Sequence, residues 1–578
     1  MIDPTNRNTA LASALVEELS RSGVRHAILS PGSRSSPLAL ALDRDPGIEL
    51  TVVLDERSAG FIALGCTLST GAPAVVACTS GSAAANLHPA VVEADQAGVP
   101  LIVLTSDRPP ELRGIGAGQT IDQIGLYGSA SRWFCEGGTH DADDTGLLHM
   151  RSLGCRAWAE ATLGRGPVHL NLSWRDPLGP EPHPEDVTAA RPLAVEGRSE
   201  GRPLTVPIAG REPSAALVEA LAGAVSRAGR GLIVAGRSLD PDLPAAVADL
   251  AAAAGFPVLA EPTSGLRLGP HSRGAVATYD LLARSRPDEL APDLVLRFGD
   301  MPTSKPLRAW LEAVEVDQVA IDPPGRWNEP SRIAGAFVRA DATAVARALT
   351  AALERRGGGD WAAAWAEAEA ATQGAIDAAL ADGPELSEPG IWRALGETFG
   401  DGEEVLVASS MPIRDAEAFL RPGSAAVRIH ANRGANGIDG LVSTAAGIAL
   451  GSDRPTWLVL GDLALAHDLG GLASVRDLPA PLRIVVIDNG GGGIFDFLPQ
   501  ASQVEADAFE RLFTTPSGLD VEGAAALYGI DFVEVRSEAE LAGLAGSGSV
   551  LARVRVEREG NVDLHRRIAE AVAHALAT

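Results

Sequence analysis

Asp462 and Asn489 stand 27 positions apart, and each closes an apolar run: Trp457–Leu460 precedes Gly461-Asp462, and Arg483–Ile487 precedes Asp488-Asn489. Apolar, β-branched runs of this kind are buried in parallel sheets. The Asp468–Arg476 segment between them is long enough to cross over as a helix. Both acidic turns then end parallel strands at one edge of a sheet, which is where open α/β sheets bind ligands. A carboxylate, a carboxamide and the backbone of Gly490–Gly493 offer hard oxygen ligands and exposed N–H groups. That set suits Mg²⁺ carrying a diphosphate. Read alone, the same residues also describe an ordinary βαβ turn followed by a glycine loop.

A second carboxylate, Glu56 in TVVLDERSAGFIALG, lies at the end of an apolar strand and just ahead of a helix rich in small residues. An apolar surround raises a carboxyl pKa toward the range useful for proton transfer. By itself LDER equally reads as a helix N-terminus that favours negative charge, and Asp55 is the neighbouring alternative. Cationic and hydroxyl groups recur at other expected strand ends. Ser33 and Arg34 lie in SPGSRSSPL, Arg108 and Gln119 follow the Leu101–Leu104 run, Ser410 and Arg414 lie in ASSMPIRD, and Arg433 lies in HANRGANG. A guanidinium fork grips a carboxylate in two places. Any one of these arginines, taken singly, is as well explained by a surface ion pair or a helix cap.

The elements that must position these residues alternate between helix and strand along the whole chain. At 578 residues it exceeds a single core, and about three or four domains are expected. The first region has strands at His26–Ser30, Leu50–Leu54, Ala74–Cys78, Leu101–Leu104 and Val168–Leu172, and Asp176–Val187 with the polar stretch to Pro213 reads as a linker. The second has strands at Gly231–Ala235, Phe256–Ala260, Leu294–Phe298 and Val316–Ile321. The third has strands at Val405–Ala408, Val427–His430, Trp457–Leu460, Ile484–Ile487, Phe532–Val535 and Val550–Val556. The expected fold class is α/β with three doubly wound parallel-sheet domains, bounded at 1–187, 188–356 and 357–578.

Composition narrows the function classes. A formal charge of −27 without a basic cluster argues against nucleic acid as a partner. No apolar run reaches membrane-spanning length and the N-terminus has no signal-peptide pattern, so a cytoplasmic protein without a membrane span is expected. Cys66, Cys78, Cys135 and Cys155 lack C-x-x-C spacing and read as small hydrophobes rather than zinc ligands or disulfides. No G-x-G-x-x-G fingerprint or Walker lysine supports a nucleotide fold.

The paired turns resemble the diphosphate motif of thiamin diphosphate enzymes, with Leu463 in place of the usual second glycine and Asp488 in place of the usual first asparagine. SPGSRSSPLALAL, LDERSAGFIALG, LTSDRPPELRGIGAGQTIDQ and ANRGANGIDGLVSTAAG resemble more narrowly the 2-succinyl-5-enolpyruvyl-6-hydroxy-3-cyclohexene-1-carboxylate synthases of menaquinone biosynthesis. That resemblance covers nearly the whole chain. It implies a pyrimidine-binding, a central and a diphosphate-binding domain. It implies thiamin diphosphate with Mg²⁺ (or Mn²⁺), held by Asp462, Asn489 and the Gly491 carbonyl. Glu56 is implied as the catalytic carboxylate at the cofactor's aminopyrimidine, Ile438 as the prop of the bent cofactor, and Gly492, Ile494 and Phe495 as its neighbours. The implied substrates are 2-oxoglutarate, which is decarboxylated, and isochorismate, to which the succinyl-semialdehyde unit adds in 1,4-fashion. Ser33, Arg34, Arg108, Gln119, Ser410, Arg414 and Arg433 are implied to line their pocket. Lys305, the only lysine, is the one residue of TSKPLRAW that carries over from a basic pair. The resemblance also implies a homodimer or homotetramer whose sites take Glu56 and the diphosphate motif from different subunits. Another thiamin-dependent 2-oxo acid decarboxylase or carboligase is the alternative reading.

Overall fold

A computed structural model describes residues 2–207, 210–285, 288–321 and 327–577. Three six-stranded sheets, all parallel, carry the chain. The first holds β1 (His26–Leu29), β2 (Glu49–Val52), β3 (Ala74–Cys78), β4 (Leu101–Asp107), β5 (Trp133–Gly138) and β6 (Pro167–Ser173) in the order 2-1-3-4-6-5. The second holds β7 (Gly231–Ala235), β8 (Val258–Ala260), β9 (Ala275–Val276), β10 (Leu294–Phe298), β11 (Asp317–Ile321) and β12 (Ala336–Val338) in the order 12-11-10-7-8-9. The third holds β13 (Glu404–Val407), β14 (Arg428–His430), β15 (Thr456–Gly461), β16 (Leu482–Asp488), β17 (Asp531–Val535) and β18 (Val550–Arg555) in the order 14-13-15-16-18-17. Renumbered from its own first strand, the third sheet has the strand order of the first.

The central strands are buried along most of their length, as expected where helices cover both faces of a parallel sheet. All seven residues of β4 are buried, and so are the first six of β16. The strands absent from the sequence reading are β5, β9 and β12, each at a sheet edge. Two of them have only two or three residues, too few to show a period.

The chain packs as two compact units. One comprises Met1–Ala209, Asn432–Asp453 and His467–Ala480, and contains the first sheet. Its helix Glu56–Thr70 packs on the helix Leu441–Ser452. Beyond β6, the stretch read as a linker does connect the first and second sheets, but it is bonded along its length. Asn6 donates to the carbonyls of Gly179 and Glu181, and Asn8 to those of Arg175 and Pro177. Arg151, fully buried, donates to Ala194 and Val195 and pairs with Glu17 and Glu18. Buried polar groups are stable only when paired in this way, so the stretch is held as a strap as far as Leu204, whose N–H donates to Glu18. Residues 208 and 209 of it lie outside the described residues.

The other unit comprises Gly210–Ala431, Arg454–Ala466 and Pro481–Thr578, and contains the second and third sheets. They are joined by side chains as well as by sequence. Arg267, fully buried, donates to the carbonyls of Glu417 and Leu420, and Tyr279 donates to the Glu417 carboxyl at 2.7 Å. The crossover from β15 to β16 departs from the expected single helix over Asp468–Arg476. A short α-helix starts at once at Asp462 and ends at His467, and Leu469–Ser474 is a 3-10 turn. Gly470 and Gly471 disfavour an α-helix there, and buried Asp468 is drawn aside to accept from the Ser443 N–H at 2.8 Å.

Candidate active site

Gly461 stands opposite Ile487 at the end of the β15–β16 ladder, so Asp462 and Asp488-Asn489 leave the sheet at the same edge. Asp462 is buried, and that burial, followed by the nearby Asp488 carboxylate, pushes its carboxyl up to about 6. Asn489 donates through Nδ2 to Glu388 at 2.8 Å, while its Oδ1 is buried without a hydrogen-bond partner. Gly491 has φ 139°, and a Cβ there would stand 2.4 Å from the Thr514 carbonyl oxygen, so the turn admits only glycine. A carboxylate disfavoured by its neighbours, an orphaned amide oxygen and a glycine carbonyl are each the kind of donor a hard divalent cation takes. Among the described residues no group of three or more His, Cys, Asp or Glu side chains gathers to hold a metal, so amide and carbonyl oxygens are needed to complete such a set. Beyond the loop, Ile494 and Phe495 are half-buried in the 3-10 turn Gly493–Phe497, and Phe495 packs its ring against Phe513.

In the first unit, Glu56 is the first residue of its helix. Asp55 is engaged as the N-cap, accepting from the Arg57 N–H at 2.9 Å. Glu56 is half-buried and meets Asn86 at 3.4 Å. The enclosing apolar surround expected for it is not built by this unit, since Val52 is 61% and Leu54 86% exposed. Arg34 and Arg108 come together here. Burial, followed by the charge of nearby Arg34, lowers the Arg108 pKa against the opposing pull of Asp107 and Asp176, and Arg34 stands 3.7 Å from the Asp176 carboxylate. Arg108 donates to Ser80 Oγ and to the Gln119 carbonyl, and Gln119 Nε2 donates to the Ser80 carbonyl at 2.9 Å. Arg34 donates to the Trp174 carbonyl at 2.9 Å, and its Nε is buried without a partner. Ser33 is exposed at the start of the same turn. The loop bearing Arg433 and Ile438 is tethered by buried Glu93, whose carboxylate accepts from the Gly434 and Ala435 N–H groups, both at 2.7 Å.

In the second unit Ser410 occupies the N-cap position of the helix Met411–Phe419 at φ 77°, an uncommon conformation for a residue with a Cβ, and its side chain makes no capping hydrogen bond. Arg414 donates back to the Ser410 carbonyl, and burial lowers its pKa. Lys305 is the exposed first residue of the helix Lys305–Ala313.

Residues 9–126 match the family described as thiamine pyrophosphate enzyme, N-terminal TPP binding domain, and residues 212–407 match the middle domain of thiamine pyrophosphate enzymes. Over 590 residues the chain is 44% identical to the 2-succinyl-5-enolpyruvyl-6-hydroxy-3-cyclohexene-1-carboxylate synthase of Myxococcus xanthus (strain DK1622), covering 100% of this chain and 99% of that one. The chain belongs to this synthase family. Similar relatives include the synthases so named from Chloroflexus aurantiacus (strain ATCC 29366 / DSM 635 / J-10-fl), 42% identical over 98% of this chain and 97% of its own, and Geobacillus kaustophilus (strain HTA426), 41% identical over 98% of each.

For a synthase of this family, the residues fall into two groups by unit. Glu56, Arg34, Arg108, Gln119, Arg433 and Ile438 belong to the first, and Asp462, Asn489, Gly491, Ser410, Arg414 and Lys305 to the second. Sequence reasoning passed over Ser80, Asn86, Glu93 and Glu388. Ser80 and Asn86 lie just past β3, in TSGSAAAN, where a strand-end signal was available. Glu93 and Glu388 sit in helices and carry no local signal beyond helix propensity. His430 meets Glu404 at 2.7 Å, and His88 packs edge-on to Tyr127. All four cysteines are free, and burial pushes the Cys66 and Cys78 thiols far up.

Proposed function

We propose that this synthase, loaded with thiamin diphosphate and Mg²⁺ or Mn²⁺, decarboxylates 2-oxoglutarate and joins the remaining four-carbon unit to isochorismate by 1,4-addition. The products are 2-succinyl-5-enolpyruvyl-6-hydroxy-3-cyclohexene-1-carboxylate and CO₂, a step of menaquinone biosynthesis. The observation that carries this reading is 44% identity along the entire chain to a synthase of that name.

When bound, thiamin diphosphate supplies the electron sink that decarboxylation of a 2-oxo acid requires. Asp462, Asn489 Oδ1 and the Gly491 carbonyl would hold the cation and, with it, the diphosphate. The N–H groups of the glycine loop would add donors to the same phosphates. Glu56 would accept a hydrogen bond from the aminopyrimidine ring and hold the proton there. Ile438 would prop the bent cofactor, with Gly492, Ile494 and Phe495 beside it. Arg34, whose buried Nε has no hydrogen-bond partner, and neighbouring Arg108 would bind substrate carboxylates, and Ser33, Gln119, Ser410, Arg414, Arg433 and Lys305 would complete the lining. A homodimer is the minimal assembly, a homotetramer its extension. The exposed Val52 and Leu54 beside Glu56 support it, because a second copy would cover them and give Glu56 its apolar surround.

The test is isochorismate consumption by purified protein with 2-oxoglutarate, Mg²⁺ and thiamin diphosphate, beside an identical mixture lacking the cofactor. Cofactor-dependent loss of isochorismate with matching CO₂ is expected. CO₂ without isochorismate loss would instead assign a thiamin decarboxylase or a carboligase with another acceptor.

A further inference from the structure

Only one end of an asparagine side chain can ligate a cation. The oxygen binds and the NH₂ group repels, and nothing intrinsic to the residue chooses between two orientations that differ by a half-turn. At Asn489 the choice is made by Glu388. That carboxyl is 2% exposed, and its Oε1 accepts from Asn489 Nδ2 at 2.8 Å. An acceptor there fixes the NH₂ group toward Glu388 and therefore turns Oδ1, buried and without a partner, the other way.

Glu388 is itself held. It is the first residue of the helix Glu388–Thr398, and Ser387 caps that helix by accepting from the Gly390 N–H. Its carboxyl neighbours that of Asp415, 1% exposed, whose Oδ1 meets His565 Nε2 at 2.9 Å. The other ring nitrogen, Nδ1, meets the Asn561 carbonyl at 2.9 Å, and Phe419 and Phe497 pack edge-on against the ring. The chain Asn489–Glu388–Asp415–His565 thus runs from the loop after β16 to the C-terminal helix.

We infer that Glu388 is a positioning residue for the metal ligand Asn489, presenting its amide oxygen to the cation. The inference rests on the proposed ligand set of Asp462, Asn489 and Gly491.

The test is Mn²⁺ binding to the full-length protein with thiamin diphosphate, read from the loss of the free-Mn²⁺ electron paramagnetic resonance signal. Glu388→Met keeps the volume and lacks an acceptor. Glu388→Asp keeps the carboxyl but falls a methylene short of Asn489. Glu388→Gln retains an acceptor at the same reach. The expected result is a loss of Mn²⁺ affinity of about 10- to 100-fold in the first two and less than about threefold in Glu388→Gln. Wild-type affinity in Glu388→Asp and Glu388→Met, with Asn489→Ala impaired, would overturn the positioning role alone. Wild-type affinity in Asn489→Ala would overturn the ligand set itself. If Glu388→Met does not fold, the contrast between Glu388→Asp and Glu388→Gln decides: equal affinities in these two overturn the inference.

Discussion

Gly65 faces the carbonyl of Thr444 so closely that a Cβ on it would stand 2.1 Å from that oxygen. The reciprocal contact is as tight, a Cβ on Gly447 falling 2.0 Å from the Ile62 carbonyl oxygen. The helices Glu56–Thr70 and Leu441–Ser452 therefore cross backbone to backbone. Gly65→Ala should destabilise the protein by about 1–3 kcal/mol, because neither backbone can yield. Gly374, an exposed helical glycine with open space around its Cα, is the control. Its alanine variant should gain up to about 1 kcal/mol from helix propensity. Thermal unfolding of the two variants checks the pair, and equal shifts would refute the contact.

Arg34 and Arg108 are assigned to substrate carboxylates. Arg108→Ala and Arg34→Ala should each lower kcat/KM for 2-oxoglutarate or isochorismate by about 2 kcal/mol, roughly 30-fold, mainly through KM. Steady-state kinetics with each substrate varied in turn will show which carboxylate each arginine meets. An unchanged KM for both substrates would remove the residue from the pocket.

Among the described residues Glu56 makes a single side-chain hydrogen bond, accepting from Asn86 at 3.4 Å, so its removal should cost little stability. Glu56→Gln should fold and bind thiamin diphosphate by calorimetric titration. Its turnover should fall by about 10²- to 10⁴-fold, the usual range for a lost proton-transfer group. Turnover at the wild-type rate would rule out the assigned role.

Glu417 sits fully buried between the second and third sheets, where it accepts from Tyr279 and from the Ser304 N–H. Burial, followed by the Asp280 and Glu261 carboxylates, pushes its carboxyl up to about 8. The unfolded chain gives up this proton near the ordinary value of 4.5. Between these values the folded state holds the extra proton, so the stabilisation is complete below about 4.5 and is lost as pH rises through about 8. Urea midpoints of wild type should therefore fall relative to Glu417→Gln between pH 5 and pH 8, on the order of 1 kcal/mol per pH unit. Parallel pH curves would show that Glu417 is ionised in the folded protein.

Much of this was legible in the sequence because buried parallel strands announce themselves as short apolar runs. All six strands of the third sheet and the turns after β15 and β16 could be placed that way. The edge strands β5, β9 and β12 could not, since they are short or only partly buried. Asp468, Glu93 and Glu388 escaped for a different reason. Each acts on a partner 25 to 341 positions away, Ser443, Gly434 and Asn489 respectively, and no local period encodes such a contact. The apolar surround expected around Glu56 is likewise beyond a single chain's pattern if a second copy supplies it.

Because the first and third sheets share one strand order, their loops correspond strand by strand. Arg108 follows β4 as Asn489 follows β16, and Ser33 follows β1 as Ser410 follows β13. The chain is in this sense one scaffold written twice, with Arg108 on one copy where Asn489 stands on the other. The proposed site draws on the loops past the strand ends, and the strands beneath need only remain apolar. New acceptors could therefore be sought by recombining those loops alone, with the melting of both sheets left as it is.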